Sequence, residues 1–177
     1  MADITHKGAP IHTVGELPAV GTKAPDFMLV GSDLSDVSLI DYAGKTLVLN
    51  IFPSLDTGTC AMSVRTFNER AAKLNDQVRI LNVSADLPFA QSRFCAAEGI
   101  DHVDSASSFR SDFSDAYGTR ILDGKLAALN SRAVVVVSPD GTVLYHEQVP
   151  EIAQEPDYDG ALGAIGLAGL LTGWRAN

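Results

Sequence analysis

A short and nearly continuous apolar run, residues 46–52, and a second predicted buried strand, residues 78–84, constrain the fold of this chain more than any other feature. Runs of this length without polar alternation are typical of strands that are buried on both faces of a sheet. The segment between them carries apolar side chains at helical spacing, namely Cys60, Val64, Phe67, Ala71 and Leu74. A strand, a crossover helix and a second strand form a right-handed parallel unit. The sequence therefore predicts an α/β fold.

The remainder of the pattern adds a second helix, a hairpin and a terminal helix. Asp86 is predicted to cap the second helix, and Gly99 is predicted to end it. Residues 132–138 and 142–149 flank a Pro-Asp-Gly turn, which predicts an antiparallel hairpin. The last helix is predicted to begin near residue 157. This order of elements, around a central mixed β-sheet flanked by helices, is that of the thioredoxin-like fold.

A chain of 177 residues has the length of one domain and can bury a core without disulfides or structural metal. No repeat, low-complexity tract or linker divides it. We therefore expect a single domain over residues 1–177. Residues 1–20 are expected to form an N-terminal β-hairpin extension that includes Ile11, Val14, Gly15 and Leu17.

The charge balance excludes several classes of partner. The chain has 13 Lys and Arg against 22 Asp and Glu, a formal net charge of −9, and no basic cluster. Phosphate backbones and anionic membrane surfaces both require concentrated positive charge, so we expect neither nucleic acid nor membrane as a partner. Because there is neither a secretory signal nor an apolar run of membrane-spanning length, a cytoplasmic location is predicted.

The chain has two cysteines, Cys60 and Cys95, which are too few to hold a fold of this size together. Two separated cysteines leave three interpretations: inert core thiols, metal ligands or redox partners. No C-x-x-C motif is present, and the four histidines show no ligand spacing, which argues against a zinc site. Glycine-rich phosphate-binding motifs are also missing. We expect no metal and no cofactor.

Cys60 is predicted to lie at the start of a helix that directly follows a buried strand. Ligand sites gather at the carboxyl edge of such sheets, and a helix N-terminus offers free backbone N–H groups and a partial positive charge. Both favour the thiolate, which is the nucleophilic form of cysteine. Position alone leaves two interpretations open, a reactive thiolate and a small buried side chain on the helix stripe.

The residues around Cys60 match the pattern of a known family. Residues 53–60 read Pro-Ser-Leu-Asp-Thr-Gly-Thr-Cys, which resembles the P-x-x-x-T-x-x-C loop of the peroxiredoxins. Residues 20–27 resemble a second peroxiredoxin segment, V-G-x-x-A-P-x-F. More narrowly, residues 84–95 and 155–158 are similar to the bacterial thiol peroxidase subfamily of the peroxiredoxins.

This resemblance covers residues 15–165 and implies an atypical two-cysteine peroxiredoxin. It implies that Cys60 is the peroxidatic cysteine and Cys95 the resolving cysteine, and that three further residues complete the site: Pro53, Thr57 and Arg132. The implied reaction reduces hydrogen peroxide and organic hydroperoxides to water and alcohols through a Cys60 sulfenic acid and an intramolecular Cys60–Cys95 disulfide. Thioredoxin is the implied reductant, and a homodimer the implied assembly.

Cys95 is predicted to lie about nine residues into its helix, roughly 12 Å beyond the helix start. A disulfide requires Cα atoms within about 7 Å of each other. We therefore expect the first turn at Cys60 and the helix around Cys95 to loosen locally during each turnover.

Alternatives remain open at two levels. Without the resemblance, Arg132 at the start of an apolar strand is either a solvated strand-end side chain or a paired, buried one. A cysteine–histidine hydrolase would need His102 or His146 beside Cys60, and no pattern places either there. The main alternative function is a redox sensor or binding protein with a thioredoxin-like fold that uses the same cysteine switch.

Overall fold

The computed structural model of the protein describes residues 1–166. The strands of these residues are β1 (Asp3–His6), β2 (Ala9–His12), β3 (Met28–Gly31), β4 (Asp36–Ser38), β5 (Thr46–Ile51), β6 (Val78–Ser84), β7 (Asp104–Ser107), β8 (Ala133–Val137) and β9 (Val143–Gln148). The helices are α1 (Gly58–Ala71), α2 (Pro88–Glu98), α3 (Phe113–Ala116) and α4 (Tyr158–Gly163), with a 3-10 turn at Leu39–Tyr42.

The core of the molecule is a seven-stranded mixed sheet in the order β4-β3-β7-β6-β5-β8-β9. The central strands β5, β6 and β7 run parallel, and the other pairs are antiparallel. All six residues of β5 are buried, as the apolar run predicts for a strand covered on both faces. The predicted α/β architecture, a mixed sheet flanked by helices, is confirmed.

Two apolar clusters fill the two faces of this sheet. One packs Phe27 and the stacked pair Phe113 and Tyr117 against the central strands. The other packs α1 and α4 against the opposite face, where Phe67 and Tyr158 meet edge to face with ring centroids 5.1 Å apart. Cys60, Val64 and Phe67 of the predicted helical stripe are buried on α1 and Ala71 is partly buried, whereas Leu74 lies beyond the helix, which ends at Ala71.

The N-terminal hairpin is confirmed, and it includes Ile11, but Val14, Gly15 and Leu17 lie beyond its strands. The hairpin is the separate two-stranded sheet β1–β2, which turns at Gly8 with a φ of 79°. This register pairs Ile4 with Ile11, and both side chains are 3% exposed in a small cluster with Ile152. The burial of this pair fixes the hairpin against the body of the fold.

The N-terminal end of α2 differs from the prediction, whereas its C-terminal end agrees with it. It begins at Pro88 with Leu87 as its N-cap, so Asp86 does not cap it. Gly99 ends it in the left-handed conformation, as expected.

The prediction of one domain over residues 1–177 stays a prediction, and residues 167–177 lie outside the described part of the chain. No helix within the described residues is long and apolar enough to cross a membrane.

Candidate active site

Cys60 is the third residue of α1 and is fully buried. The helix begins after Thr57, whose extended backbone makes it the N-cap, and the loop before it leads directly from β5. The first turn of α1 holds no acidic side chain, so no carboxylate offsets the positive end of the helix. The sulfur therefore belongs to the first turn of a helix, where backbone N–H groups have no partner within the helix.

Arg132 lies beside this sulfur. Its Nη2 is 3.2 Å from Cys60 Sγ, and its Nε donates to the Ile152 carbonyl oxygen at 2.8 Å. The contact follows from the sheet, because β8 pairs with β5 so that Ala133 lies opposite Ile51. The residue before β8 consequently meets the chain that leaves β5. The Arg132 side chain is buried and paired, and the solvated alternative is excluded.

The third nitrogen of this guanidinium, Nη1, is buried and has no hydrogen-bond partner within residues 1–166. Arg132 also lines a cavity of about 250 Å³ together with Pro53 and Thr57. The rim of the cavity includes His6 and Lys7 of the N-terminal hairpin. A buried donor without a partner costs free energy unless a ligand accepts from it. The cavity thus offers a cationic donor to a small oxygen-containing ligand.

Thr57 and Pro53 form the other wall of this cavity. The Thr57 hydroxyl donates to the Ser54 carbonyl oxygen at 3.0 Å, and the Thr57 N–H donates to the same oxygen at 3.2 Å. Since the hydroxyl proton is engaged in this way, the lone pairs of Thr57 Oγ1 are available to accept a hydrogen bond. Pro53 is buried at the base of the loop. The structure therefore places three of the five predicted site residues, Pro53, Thr57 and Arg132, around one small cavity, and the fully buried Cys60 contacts the guanidinium of Arg132.

Cys95, the fifth predicted residue, lies elsewhere. It is the eighth residue of α2, partly buried, and lines a different cavity of about 440 Å³. Its Sγ is 3.7 Å from the Ser105 hydroxyl oxygen, and burial raises the pKa of this thiol while that hydrogen bond lowers it. Both thiols are free. In this state the two cysteines do not share a cavity, although both pack against the same apolar cluster.

A buried row of polar side chains, which the sequence reasoning missed, joins the two cysteine helices. Asn50, Asn82 and Ser105 lie opposite one another on β5, β6 and β7. Asn50 Nδ2 donates to Asn82 Oδ1 at 2.9 Å and to Ser63 Oγ at 3.3 Å, while Asn82 Nδ2 reaches Ser105 Oγ at 3.4 Å. Ser63 in turn donates to the Cys60 carbonyl oxygen at 2.8 Å. An asparagine at the fifth position of each apolar run was the available signal.

Nearly the whole chain is similar to proteins of one known family. The Redoxin family model matches residues 19–162. A thiol peroxidase of Mycobacterium tuberculosis is 57% identical over 166 residues, which cover 94% of this chain and 99% of that protein. Another thiol peroxidase, of Mycobacterium bovis, matches to the same extent.

Two solved structures share the fold over nearly the whole length. A peroxiredoxin-like protein from Aquifex aeolicus is 35% identical with a TM-score of 0.87, and the match covers 95% of this chain and 98% of that one. A thiol peroxidase from Chromobacterium violaceum is 20% identical with a TM-score of 0.85, covering 96% and 98%. The predicted thioredoxin-like fold is thereby confirmed. By its Redoxin match and its 57% identity to a thiol peroxidase, the chain belongs to the thiol peroxidase subfamily of the peroxiredoxins.

Proposed function

We propose that the protein reduces hydrogen peroxide and organic hydroperoxides to water and alcohols, with Cys60 as the peroxidatic cysteine. The observation that carries the proposal is the guanidinium of Arg132, which places Nη2 at 3.2 Å from Cys60 Sγ and leaves the buried Nη1 without a partner within residues 1–166. One donor can hold the thiolate while the other receives a peroxide oxygen. Both tasks are needed at once when sulfur attacks a peroxide.

In the first step the Cys60 thiolate attacks one oxygen of the peroxide, and the oxygen–oxygen bond breaks. Sulfur gains that oxygen as a sulfenic acid, and the other oxygen leaves as water or an alcohol after it takes up a proton. Negative charge builds on the leaving oxygen, and the Arg132 guanidinium is placed to stabilise it. Thr57 Oγ1 accepts a hydrogen bond from the O–H of the bound peroxide, and Pro53 shields the sulfur from water.

In the second step the Cys95 thiol attacks the Cys60 sulfenic acid, so that a disulfide forms within one chain and water leaves. A thioredoxin dithiol then reduces this disulfide by thiol exchange and becomes oxidised itself. In the reduced structure Cys60 is fully buried beside Arg132, whereas Cys95 contacts Ser105 and lines a cavity that does not include Arg132, which supports the expectation that α1 and α2 loosen locally between the two steps.

Stopped-flow measurement of peroxide consumption tests this proposal. Cys60→Ser is expected to abolish turnover. Cys95→Ser is expected to reduce one equivalent of peroxide and then stall with thioredoxin as the donor. Repeated turnover by the wild type with a thioredoxin system separates an enzyme from a redox sensor, which needs to oxidise only once. Near-wild-type turnover of Cys60→Ser would refute the assignment.

A homodimer in the cytoplasm is the assembly and location that fit this role. Support for a dimer comes from large apolar side chains that stay exposed near the start of α2, with Leu87 at 48%, Phe89 at 67% and Phe109 at 44% exposure. Sedimentation analysis is expected to give a dimer mass that Phe89→Glu lowers to that of a monomer. Fractionation of the source cells tests the location.

A further inference from the structure

The carboxylate of Asp86, which caps no helix, is bound to the loop that precedes Cys60. We name residues 52–57, between β5 and α1, the Cys60 loop. Asp86 accepts from the Ser54 hydroxyl at 2.7 Å on Oδ1 and from the Leu55 N–H at 2.8 Å on Oδ2. The Ser84 hydroxyl donates to Oδ2 as well, at 2.7 Å. Two of the three bonds on this partly buried carboxylate therefore come from the Cys60 loop.

These bonds reach the cavity through Ser54. The hydroxyl of Ser54 is held by Asp86, and its carbonyl oxygen accepts from both the N–H and the hydroxyl of Thr57. Thr57 is the N-cap of the helix that carries Cys60. The position of Asp86 thus fixes Ser54, and Ser54 fixes the N-cap and the hydroxyl that faces the cavity.

The other side of Asp86 is anchored away from this loop. Its own carbonyl oxygen accepts from the hydroxyl of Ser107 on β7, and α2 with Cys95 begins two residues later. The bond to Ser107 on β7 therefore holds Asp86 in place between the Cys60 loop and α2. When the Cys60 loop opens, the bonds from Ser54 and Leu55 to Asp86 must break, whereas the bond to Ser107 need not.

We infer that Asp86 is a positioning residue that holds the Cys60 loop closed for the reaction with peroxide and that resists its opening for disulfide formation. The inference rests on the proposed function, because that function has two steps with opposite demands. Attack on peroxide needs Cys60, Arg132 and Thr57 held together. Attack by Cys95 needs Cys60 to leave that arrangement. A residue that stabilises the closed loop speeds the first step and slows the second.

The test is Asp86→Asn, followed by rapid quenching and mass spectrometry of the sulfenic acid and disulfide forms. An amide keeps the size of the carboxylate but removes its negative charge and one of its two accepting oxygens, so the Cys60 loop loses the charge-assisted bonds that hold Ser54 and Leu55. The second-order rate constant with hydrogen peroxide is expected to fall about tenfold, and the first-order rate of disulfide formation to rise by a similar factor. Because the sulfenic acid then persists for less time, over-oxidation to sulfinic acid should need more peroxide than in the wild type.

Two further variants make this result specific. Asp140→Asn alters a carboxylate in the β8–β9 turn that also accepts a backbone N–H, from Thr142 at 3.2 Å, and a serine hydroxyl, from Ser138. It leaves the Cys60 loop untouched, and both rates are expected to stay at wild-type values. Ser54→Ala removes one of the two loop bonds and keeps the carboxylate. Its rates should move in the same directions as those of Asp86→Asn but by less, and it carries the test if Asp86→Asn does not fold.

A fall in both rates, or no change in either, overturns the inference, because a merely structural residue would not move the two steps in opposite directions. The proposed function is judged on the wild type alone. If the wild type consumes no peroxide, that function fails regardless of the variants. If the wild type turns over and the two rates of Asp86→Asn move together, the function stands and the role of Asp86 does not.

Discussion

Replacement of Arg132 by methionine removes the cation from the candidate site while it keeps most of the length of the side chain. In the wild type each nitrogen of the guanidinium has a different situation. Nε donates to Ile152 at 2.8 Å, Nη2 lies 3.2 Å from the Cys60 sulfur, and Nη1 has no partner in the described chain. Arg132→Met removes all three donors, whereas Arg132→Lys keeps the charge on a single nitrogen.

The expected loss of rate follows from the number of hydrogen bonds that each variant loses. A hydrogen bond to a charged group contributes about 1.5–3 kcal/mol, which corresponds to roughly 10- to 100-fold in rate. Arg132→Lys puts one charged nitrogen in place of the two Nη nitrogens of the rigid guanidinium fork, so we expect it to lose about one such bond. Arg132→Met loses both, and its rate constant with peroxide should fall by about 10²–10⁴.

Stability is expected to change far less than activity in Arg132→Met. The Ile152 carbonyl loses its donor, which costs about 1–3 kcal/mol. Against this, a buried cation with an unpartnered nitrogen is exchanged for an apolar side chain, which is often neutral or stabilising. The two effects oppose each other, so the free energy of unfolding should stay within about 2 kcal/mol of the wild type.

The rate constant is measured by competition with a haem peroxidase for limiting hydrogen peroxide, and stability by urea unfolding of the same preparations. A folded Arg132→Met protein that reacts within about threefold of the wild type would refute this reasoning, because the effect of losing even one such bond exceeds that factor.

Three other substitutions have defined outcomes. Hydrogen bonds from backbone N–H groups, that of Gly8 foremost, lower the pKa of Glu151 from 4.5 to about 2. Glu151→Gln should therefore be less stable than the wild type at pH 7. In urea unfolding, this difference in stability should shrink as the pH falls from 4.5 towards 2. Gly118 has a φ of 70°, and a Cβ there would overlap the Glu16 carbonyl oxygen, so Gly118→Ala should lose more than about 2 kcal/mol of unfolding free energy. Thr57→Val should lower the rate constant with peroxide about tenfold or more, whereas Thr57→Ser should retain it.

The sequence was sufficient to predict those strands whose apolar residues or flanking turn mark them as strands. The strands β5, β6, β8 and β9 follow from their apolar runs and the turn between the last two. The strands β3, β4 and β7 were not predicted, because they are three or four residues long and two of them read Asp-Val-Ser and Asp-Ser-Ala-Ser. Their strand character comes from pairing, with β7 held between β3 and β6, and a local pattern does not contain the partner.

Some site residues could likewise be predicted from the local sequence, whereas others depend on contacts between residues far apart in the chain. The motif around Cys60 indicated Pro53 and Thr57 together, since they share one loop. Arg132 is ambiguous until the pairing of β5 with β8 brings it to the sulfur. The expectation for Asp86 had the correct chemistry, a carboxylate that accepts N–H groups, but the wrong donor. A capping rule considers only the next few residues, whereas the N–H that Asp86 binds belongs to Leu55, in the preceding loop.

Hydrogen bonds hold the Cys60 loop closed, whereas the core near α1 and α2 contains buried polar atoms without hydrogen-bond partners. Within residues 1–166, the buried polar side-chain atoms without a partner are Asn50 Oδ1, Gln91 Oε1 and Arg132 Nη1. Asn50 lies beneath α1, Gln91 belongs to α2, and Arg132 contacts Cys60. Each such atom costs about 1–3 kcal/mol when it is kept from water. Opening of the two cysteine helices would let water reach these atoms, so the same atoms that destabilise the closed state lower the free energy of opening. The bonds of Asp86 to the Cys60 loop oppose that tendency, and in the proposed mechanism the balance between the two effects sets how long Cys60 stays beside Arg132.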